Sequence, residues 1–300
     1  MSAIEWLLEG DPAIRWQVMR DLTDQPPGVV ARERARVASE GWGARLLGLQ
    51  DEDGQWGGGP YSPKWTSTTY TLLLLRHLGI DPADRRVREA IGRVSSGVMM
   101  TKTRPFFEYM GETCITGMVL ALASYFRGAD DTDRQTDQLL AEQRDDGGWN
   151  CETSSSRSSF HTTISVLEGL LESETAGGAA TDTKAARSRA HEYLLERKLL
   201  RSLSTGELVN SRWALFSFPP RWHYDALRGL DYLRDAGVAP DHRVDETIDL
   251  VESKRDKEGR WPLQNHYRGR EHFSMEPGPG KPSRWNTLRA LRVLRWYHEP

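Results

Sequence analysis

One short pattern occurs three times in this chain, and it limits the possible folds more than any other feature. The segments are Leu49-Gln50-Asp51-Glu52-Asp53-Gly54-Gln55-Trp56, Glu142-Gln143-Arg144-Asp145-Asp146-Gly147-Gly148-Trp149 and Lys254-Arg255-Asp256-Lys257-Glu258-Gly259-Arg260-Trp261. Each ends in an acid, a glycine, one free position and a tryptophan. The first two also carry glutamine six residues before the tryptophan. An acid followed by glycine makes a tight turn, with positive φ available at the glycine. The tryptophan after it can fold back as a plug. Trp56 and Trp149 are 93 residues apart, and Trp149 and Trp261 are 112 apart. Each interval is about two helix-pair repeats of ~40–47 residues, so degenerate units are expected between the clear ones.

Five helix openings fit that spacing: Trp65-Thr66-Ser67-Thr68, Thr113-Cys114-Ile115-Thr116, Phe160-His161-Thr162-Thr163, Trp222-His223-Tyr224-Asp225 and Trp285-Asn286-Thr287-Leu288. Each leads into an apolar-rich run of helical character. A second helical stretch precedes each opening, at 42–49, 84–94, 133–141, 187–199 and 241–252. Pro82, Pro240, Gly79, Gly128 and Gly237 punctuate the returns as helix stops should. No sustained two-residue alternation marks a strand. The expectation is an all-α chain: a helical lead over residues 1–40, with its helix at 4–22, then one repeat domain over 41–300. Residues 174–186 read as a flexible linker, and 262–283 as a long loop able to act as a lid. Hydrophobic residues make up 38% and charged residues 28%, with mean hydropathy −0.62, a globular balance. A net charge of −3 argues against a nucleic-acid footprint. The start lacks a basic stretch followed by an apolar one, so the expectation is a cytoplasmic chain with no transmembrane segment. Two cysteines are too few for a disulfide framework and are instead candidates for metal binding or catalysis.

The glutamine-to-tryptophan signature resembles the QW motif of squalene-hopene cyclases and the turn motif of protein prenyltransferase β-subunits. The resemblance covers residues 40–300. It implies a single α/α toroid (an α6/α6-like barrel) of about five helix pairs, with parallel inner helices around a central cavity. In such a ring the inner-helix N-termini cluster at one end, and aligned positions become neighbours. The aligned column is Thr66, Cys114, His161, His223 and Asn286, with Cys151 in a loop leading to the same end. Cysteine and histidine donors suit zinc, and a helix N-terminus favours a thiolate. The expected metal ligands are therefore Cys114, Cys151, His161 and His223, with Zn2+ as cofactor. Glu112-Thr113-Cys114 is similar to the carboxylate-x-Cys pair that holds zinc in protein prenyltransferases. Cys114, Cys151 and His161 look like the two-cysteine, one-histidine set of lanthionine cyclases.

Asp225, Glu112, Glu152 and Tyr224 are candidate catalytic groups. Trp65, Thr66, Phe107, Glu108, Trp222, His266, Arg268, His272, Trp285 and Asn286 are candidate substrate contacts. Asp130-Asp131-Thr132-Asp133 superficially resembles the acid motif of class II terpene cyclases, but it falls between repeats as a solvated helix start. Three functions are in play. The first is a zinc-dependent enzyme with an apolar, aromatic-lined cavity, the metal serving as Lewis acid or activating a thiol or water. The second is a cyclase- or prenyltransferase-like enzyme acting on an isoprenoid without an essential protein metal, its aromatic faces stabilising carbocations. The third is a non-enzymatic toroid that binds a lipid or a partner. The expected ligand is a small apolar or isoprenoid-like molecule. No nucleic acid is expected, and a second subunit is possible but not indicated.

Overall fold

A computed structural model describes residues 1–178 and 180–299. The fold is all-α. Its residues form two compact units, one of 1–48, 78–81 and 195–300, the other of 49–77 and 82–194.

The first unit begins with α1 (Ala3–Leu8), α2 (Pro12–Asp21), α3 (Pro27–Ala35) and α4 (Gly41–Leu47). The single lead helix expected over 4–22 is broken at residues 9–11. Asp11 is the reason: its carboxylate accepts the Ala13 amide at 2.9 Å, capping α2, and Pro12 stands where a helix has no use for an N–H. The other Asp11 oxygen accepts the Trp42 amide at 2.8 Å and so ties in α4. Gly79 follows α5 (Thr68–Leu78) at φ +69°. A Cβ there would lie 2.1 Å from the Trp16 ring, whose Nε1 donates to Leu78 O at 2.9 Å.

The second unit holds most of α5, then α6 (Arg85–Gly97), α7 (Thr113–Arg127), α8 (Asp133–Ala141), α9 (Phe160–Thr175) and most of α10 (Ala180–Glu196). α6 buries Val87, Ala90, Ile91 and Val94, the one-sided pattern of a peripheral helix. α7 is buried nearly all round, from Ile115 through Phe126. The expected linker at 174–186 is largely helical, because α9 runs to Thr175 and α10 starts at Ala180. Residue 179, within that linker, lies outside the described residues.

The first unit resumes with α11 (Ala226–Asp235), α12 (Asp245–Ser253) and α13 (Arg284–His298). A two-residue strand, β1 (Trp261–Pro262), pairs antiparallel with β2 (Pro282–Ser283) and closes the base of the 262–283 loop. That loop is tied down further. The Gln264 amide donates to Phe216 O, Gly280 N to Leu263 O, and Arg221 pairs with Glu271 at 2.5 Å. Buried between α11, α13 and α2, Arg292 donates to both oxygens of Asp231 (2.7 and 2.5 Å) and to Gln17. Among the described residues, no helix is long and apolar enough to cross a membrane.

The three repeated turns explain themselves at the atomic level. Gly54, Gly147 and Gly259 take φ of +85°, +89° and +77°. The three tryptophans are fully buried. Gln50 Nε2 clamps its own turn to the next helix by donating to Gly54 O and Ala90 O, both at 2.9 Å; Gln143 repeats this with Gly147 O and Ala186 O, both at 2.7 Å. Each buried tryptophan amide donates to a threonine hydroxyl at the start of the following apolar helix: Trp56 to Thr68 (3.1 Å), Trp149 to Thr163 (3.0 Å) and Trp261 to Thr287 (2.9 Å). In α7 the matching hydroxyl, Thr116 Oγ1, accepts the Gly111 amide, and ahead of α11 Asp225 accepts the Ser217 amide. These acceptors set the register. Two residues before them stand Thr66, Cys114, His161 and His223. In the last helix that position is Trp285 and not Asn286, which sits one residue further on.

Candidate functional site

The site in the second unit is created by a close approach of two helices. A Cβ on Gly117 would lie 2.9 Å from Ser165 O, and one on Gly169 would lie 2.5 Å from Gly117 O. α7 and α9 therefore touch backbone to backbone, which only glycine permits. Their first turns lie at one end, where the loop carrying Cys151 enters. Cys151 Sγ accepts the Cys114 amide at 3.1 Å and the Thr162 hydroxyl at 3.4 Å, while Thr162 Oγ1 accepts the Cys151 amide at 3.3 Å. Glu112 immediately precedes α7. One ligand atom from each of Glu112, Cys114 and Cys151 falls within 4.8 Å of the others. Both thiols are half-buried and Glu112 is exposed.

The loop before α7 is braced from α8. Gln135 Nε2 donates to Phe107 O and Tyr109 O at 3.0 Å each, and Gln138 Nε2 donates to Gly111 O at 3.0 Å. Thr113 Oγ1 donates to Glu142 at 2.8 Å. Tyr109 Oη accepts the Glu112 amide at 3.2 Å and lies over Gly111, where a Cβ would come within 2.3 Å of it. The Cys151 loop holds itself in shape through Asn150, which donates to Arg157 O and accepts the Glu152 amide.

The electrostatics separate the two thiols. The hydrogen bond from the Cys114 thiol lowers the Cys151 pKa, with help from the Thr162 hydroxyl and the Cys114 amide and against the cost of burial. The same hydrogen bond raises the Cys114 pKa, and burial and the Cys151 and Glu112 charges push it up further. Cys151 is thus the more acidic of the two sulfurs, beside the N-terminus of α7. Burial, together with the Glu112, Cys114 and Cys151 charges, raises the Tyr61 and Tyr109 phenols. Tyr61 shares a hydrogen bond with Tyr70 at 3.0 Å, and Tyr70 packs edge-on against Trp65 at 4.9 Å. Tyr61 escaped the sequence reading because it lies in a glycine- and proline-rich loop with no periodicity.

The remaining candidates fall elsewhere. His161 is the second residue of α9, next to Thr162, but neither it nor His223 belongs to the group of close donors. His223, in the first unit, stacks between Trp222 and Tyr267, 3.8 Å from each ring. Asp225 is buried as the N-cap of α11, accepting Ser217 Oγ (2.8 Å) and the Arg228 amide (2.8 Å). Tyr224 is buried and donates to Leu199 O at 2.8 Å. Asn286 Nδ2 donates to Pro262 O and Phe216 O. Trp285 stacks on Phe218 at 4.3 Å. Thr66 and Phe107 are buried, while Glu152, His266 and Arg268 are exposed and His272 is half-buried. Glu108 lines a polar cleft of about 450 Å³ with Arg104, Arg127, Asp131 and Asp133. The acidic run 130–133 leads into α8 through a turn, and only Asp133, its first residue, lies where it complements the helix dipole.

No family model and no curated protein matches the chain. Among solved structures it is similar to a protein from Actinoplanes, at 17% identity over 96% of this chain and 90% of that one, with a TM-score of 0.45. It is also similar to the type II terpene cyclase MstE from Scytonema, at 18% identity over 97% and 95%, TM-score 0.46. A variant of that cyclase in complex with geranylgeranyl dihydroxybenzoate matches at 17% identity over 97% and 94%, TM-score 0.46.

Proposed function

We propose that this chain is a zinc-dependent enzyme of the α/α-toroid kind, with Glu112, Cys114 and Cys151 as zinc ligands and His161 completing the set. The observation that carries this reading is the convergence of two thiols and a carboxylate within 4.8 Å at the start of α7. Zinc–sulfur bonds of about 2.3 Å need ligand atoms roughly that close, and a sulfur-rich donor set favours zinc over harder cations. Bound there, zinc would supply Lewis acidity or an activated thiolate or water, the exposed Glu112 being the ligand that a substrate or water displaces to open the fourth position.

The chain's own residues do the rest. The Cys114 thiol, the Thr162 hydroxyl and the Cys114 amide lower the Cys151 pKa and so favour its thiolate. Tyr109 fixes the backbone of Glu112. Tyr61, whose phenol feels the charges of the thiols, forms an aromatic cluster with Tyr70 and Trp65. Such a cluster suits an unsaturated apolar substrate, of which isoprenoids are the natural class, because aromatic faces stabilise a nearby positive charge by ~0.5–2 kcal/mol. Two free thiols fit a reducing compartment such as the cytoplasm. The same aromatic cluster favours a second reading, an isoprenoid-handling enzyme that needs no protein metal.

Elemental mass spectrometry on the purified, reduced protein tests the two. Stoichiometric zinc, lost in Cys114→Ala and Cys151→Ala and weakened in Glu112→Gln and His161→Ala, is the expected result. No zinc as purified, and none taken up when zinc is added, refutes the metal reading. Binding of a prenyl diphosphate by that metal-free protein would then favour the second.

A further inference from the structure

A second cleft, of about 910 Å³, opens in the first unit, lined by α1, the start of α4, the turn before β1 and the far side of the 262–283 loop. Its arginines point to the ligand. Several buried and half-buried arginines elsewhere are matched with acids: Arg76 with Glu172, Arg187 with Glu174, Arg221 with Glu271, Arg292 with Asp231. Arg260 and Arg284 are not. Both guanidinium carbons lie over the same indole, 4.4 Å from the Trp6 ring. Among the described residues neither has a carboxylate within 4.0 Å. Arg284 makes one long bond, from Nε to Trp6 O at 3.2 Å, and Arg260 Nε is buried with no partner at all. Burial and the neighbouring Arg260 charge weaken the hold of Arg284 on its proton, against the pull of Glu9 and Glu276. Two half-buried, like-charged groups pressed together with no directly paired acid are costly, and an anion would relieve that cost.

The surroundings define the ligand further. Lys281, exposed on the same cleft, adds a third cation without an acid within 4.0 Å. The acids present are poorly placed to substitute for a ligand. Asp11 spends both oxygens on the Ala13 and Trp42 amides. Glu276 accepts Ser283 Oγ (2.6 Å) and the Trp285 amide (3.2 Å) through one oxygen. Glu9 is exposed. Trp42, Met275 and Pro282 give the cleft an apolar wall. We propose that this cleft binds an organic oxyanion, a carboxylate or phosphate head held by Arg260, Arg284 and Lys281 on a flat or apolar body that lies against Trp42. Guanidinium forks are suited to either head group. Facing Glu9, Asp11, Arg260, Lys281 and Arg284, Glu276 takes up a proton as the pH falls through about 7, so the cleft grows more positive and binding tightens.

The test is isothermal titration of the full chain with phenylacetate, benzyl phosphate, inorganic phosphate and benzyl alcohol. One of the two aromatic anions is expected to bind at one site, about tenfold or more tighter than inorganic phosphate or benzyl alcohol; which of the two binds tells a carboxylate ligand from a phosphate one. Affinity should be higher at pH 6 than at pH 8. Arg284→Gln should weaken it about tenfold, and Lys281→Gln, an exposed change that leaves the fold alone, severalfold. Lys257→Gln, outside the cleft, should not alter it. Binding of neither anion, equal binding of the alcohol, or no response to Lys281→Gln in a folded protein overturns the proposal.

Discussion

Replacing Glu276 by glutamine should make the protein more stable at pH 8 and leave it nearly unchanged at pH 4.5. Burial is the largest influence on this carboxyl and raises its pKa from 4.5 to about 7, against the opposing bonds from Ser283 Oγ and the Trp285 and Arg284 amides and the Arg284 charge. An acid whose folded pKa lies above its unfolded one binds more protons in the folded state between the two values. Stability therefore falls as the pH rises across that window, here from about 4.5 to about 7, and is flat outside it. At ~1.4 kcal/mol per pH unit the full loss is about 3 kcal/mol, an upper figure because the side chain is half-buried and partly screened. Glutamine has no charge to desolvate, and its Oε1 can still accept from Ser283 and Trp285. Urea melts of both proteins at pH 4.5, 6 and 8 read the difference directly. Other titrating groups, including His191, whose pKa burial lowers to about 4, cancel in that difference. The glutamine variant should gain ~2–3 kcal/mol on the wild type between pH 4.5 and 8, with an unchanged slope against urea. A difference that stays constant with pH, or a variant less stable than wild type at pH 8, refutes the assignment.

Two further changes probe how the fold builds the proposed metal site. Gly169→Ala drives a methyl into Gly117 O, 2.5 Å from the ideal Cβ position; it should cost ~1–3 kcal/mol in urea melts, and by parting the first turns of α7 and α9 it should abolish zinc uptake in protein that remains folded. Thr163→Val leaves the buried Trp149 amide without its acceptor; the expected loss is ~1–3 kcal/mol, with most of it restored in Thr163→Ser.

The repeated turns were legible because their cause is local. Only glycine sits easily at φ near +85°, and a tryptophan two residues later has to be buried somewhere. The hydroxyl that receives each tryptophan amide was not legible, because the intervening loop varies: Thr68 lies 12 residues after Trp56, Thr163 lies 14 after Trp149, and Thr287 lies 26 after Trp261. That is why the last helix reads one residue out of register, putting Asn286 where Trp285 belongs. α3 went unseen for a different reason. Its sequence, PGVVARERA, has no apolar stripe, and among its residues only Glu33 is buried, so periodicity had nothing to report. The break between α1 and α2 was visible in principle, since Asp11-Pro12 is a capping acid followed by a first-turn proline.

The two cysteines show how far register alone reaches. Cys114 and His161 stand at equivalent positions two residues before Thr116 and Thr163, as the aligned openings suggest. What brings Cys151 to Cys114 is carried by no alignment: Gly117 and Gly169 let two helices meet backbone to backbone, and Thr162 then receives the Cys151 amide and donates to its sulfur. The two histidines of the column separate on the same ground. His161 is the neighbour of Thr162, at the mouth of the thiol site, whereas His223 has both faces covered by Trp222 and Tyr267. Stacking does not itself block ligation, which uses a nitrogen in the ring plane; what separates the two is that only His161 adjoins a residue bonded to Cys151. Zinc uptake should therefore depend on His161 and be indifferent to His223, a contrast that column position, which ranks the two equally, cannot produce.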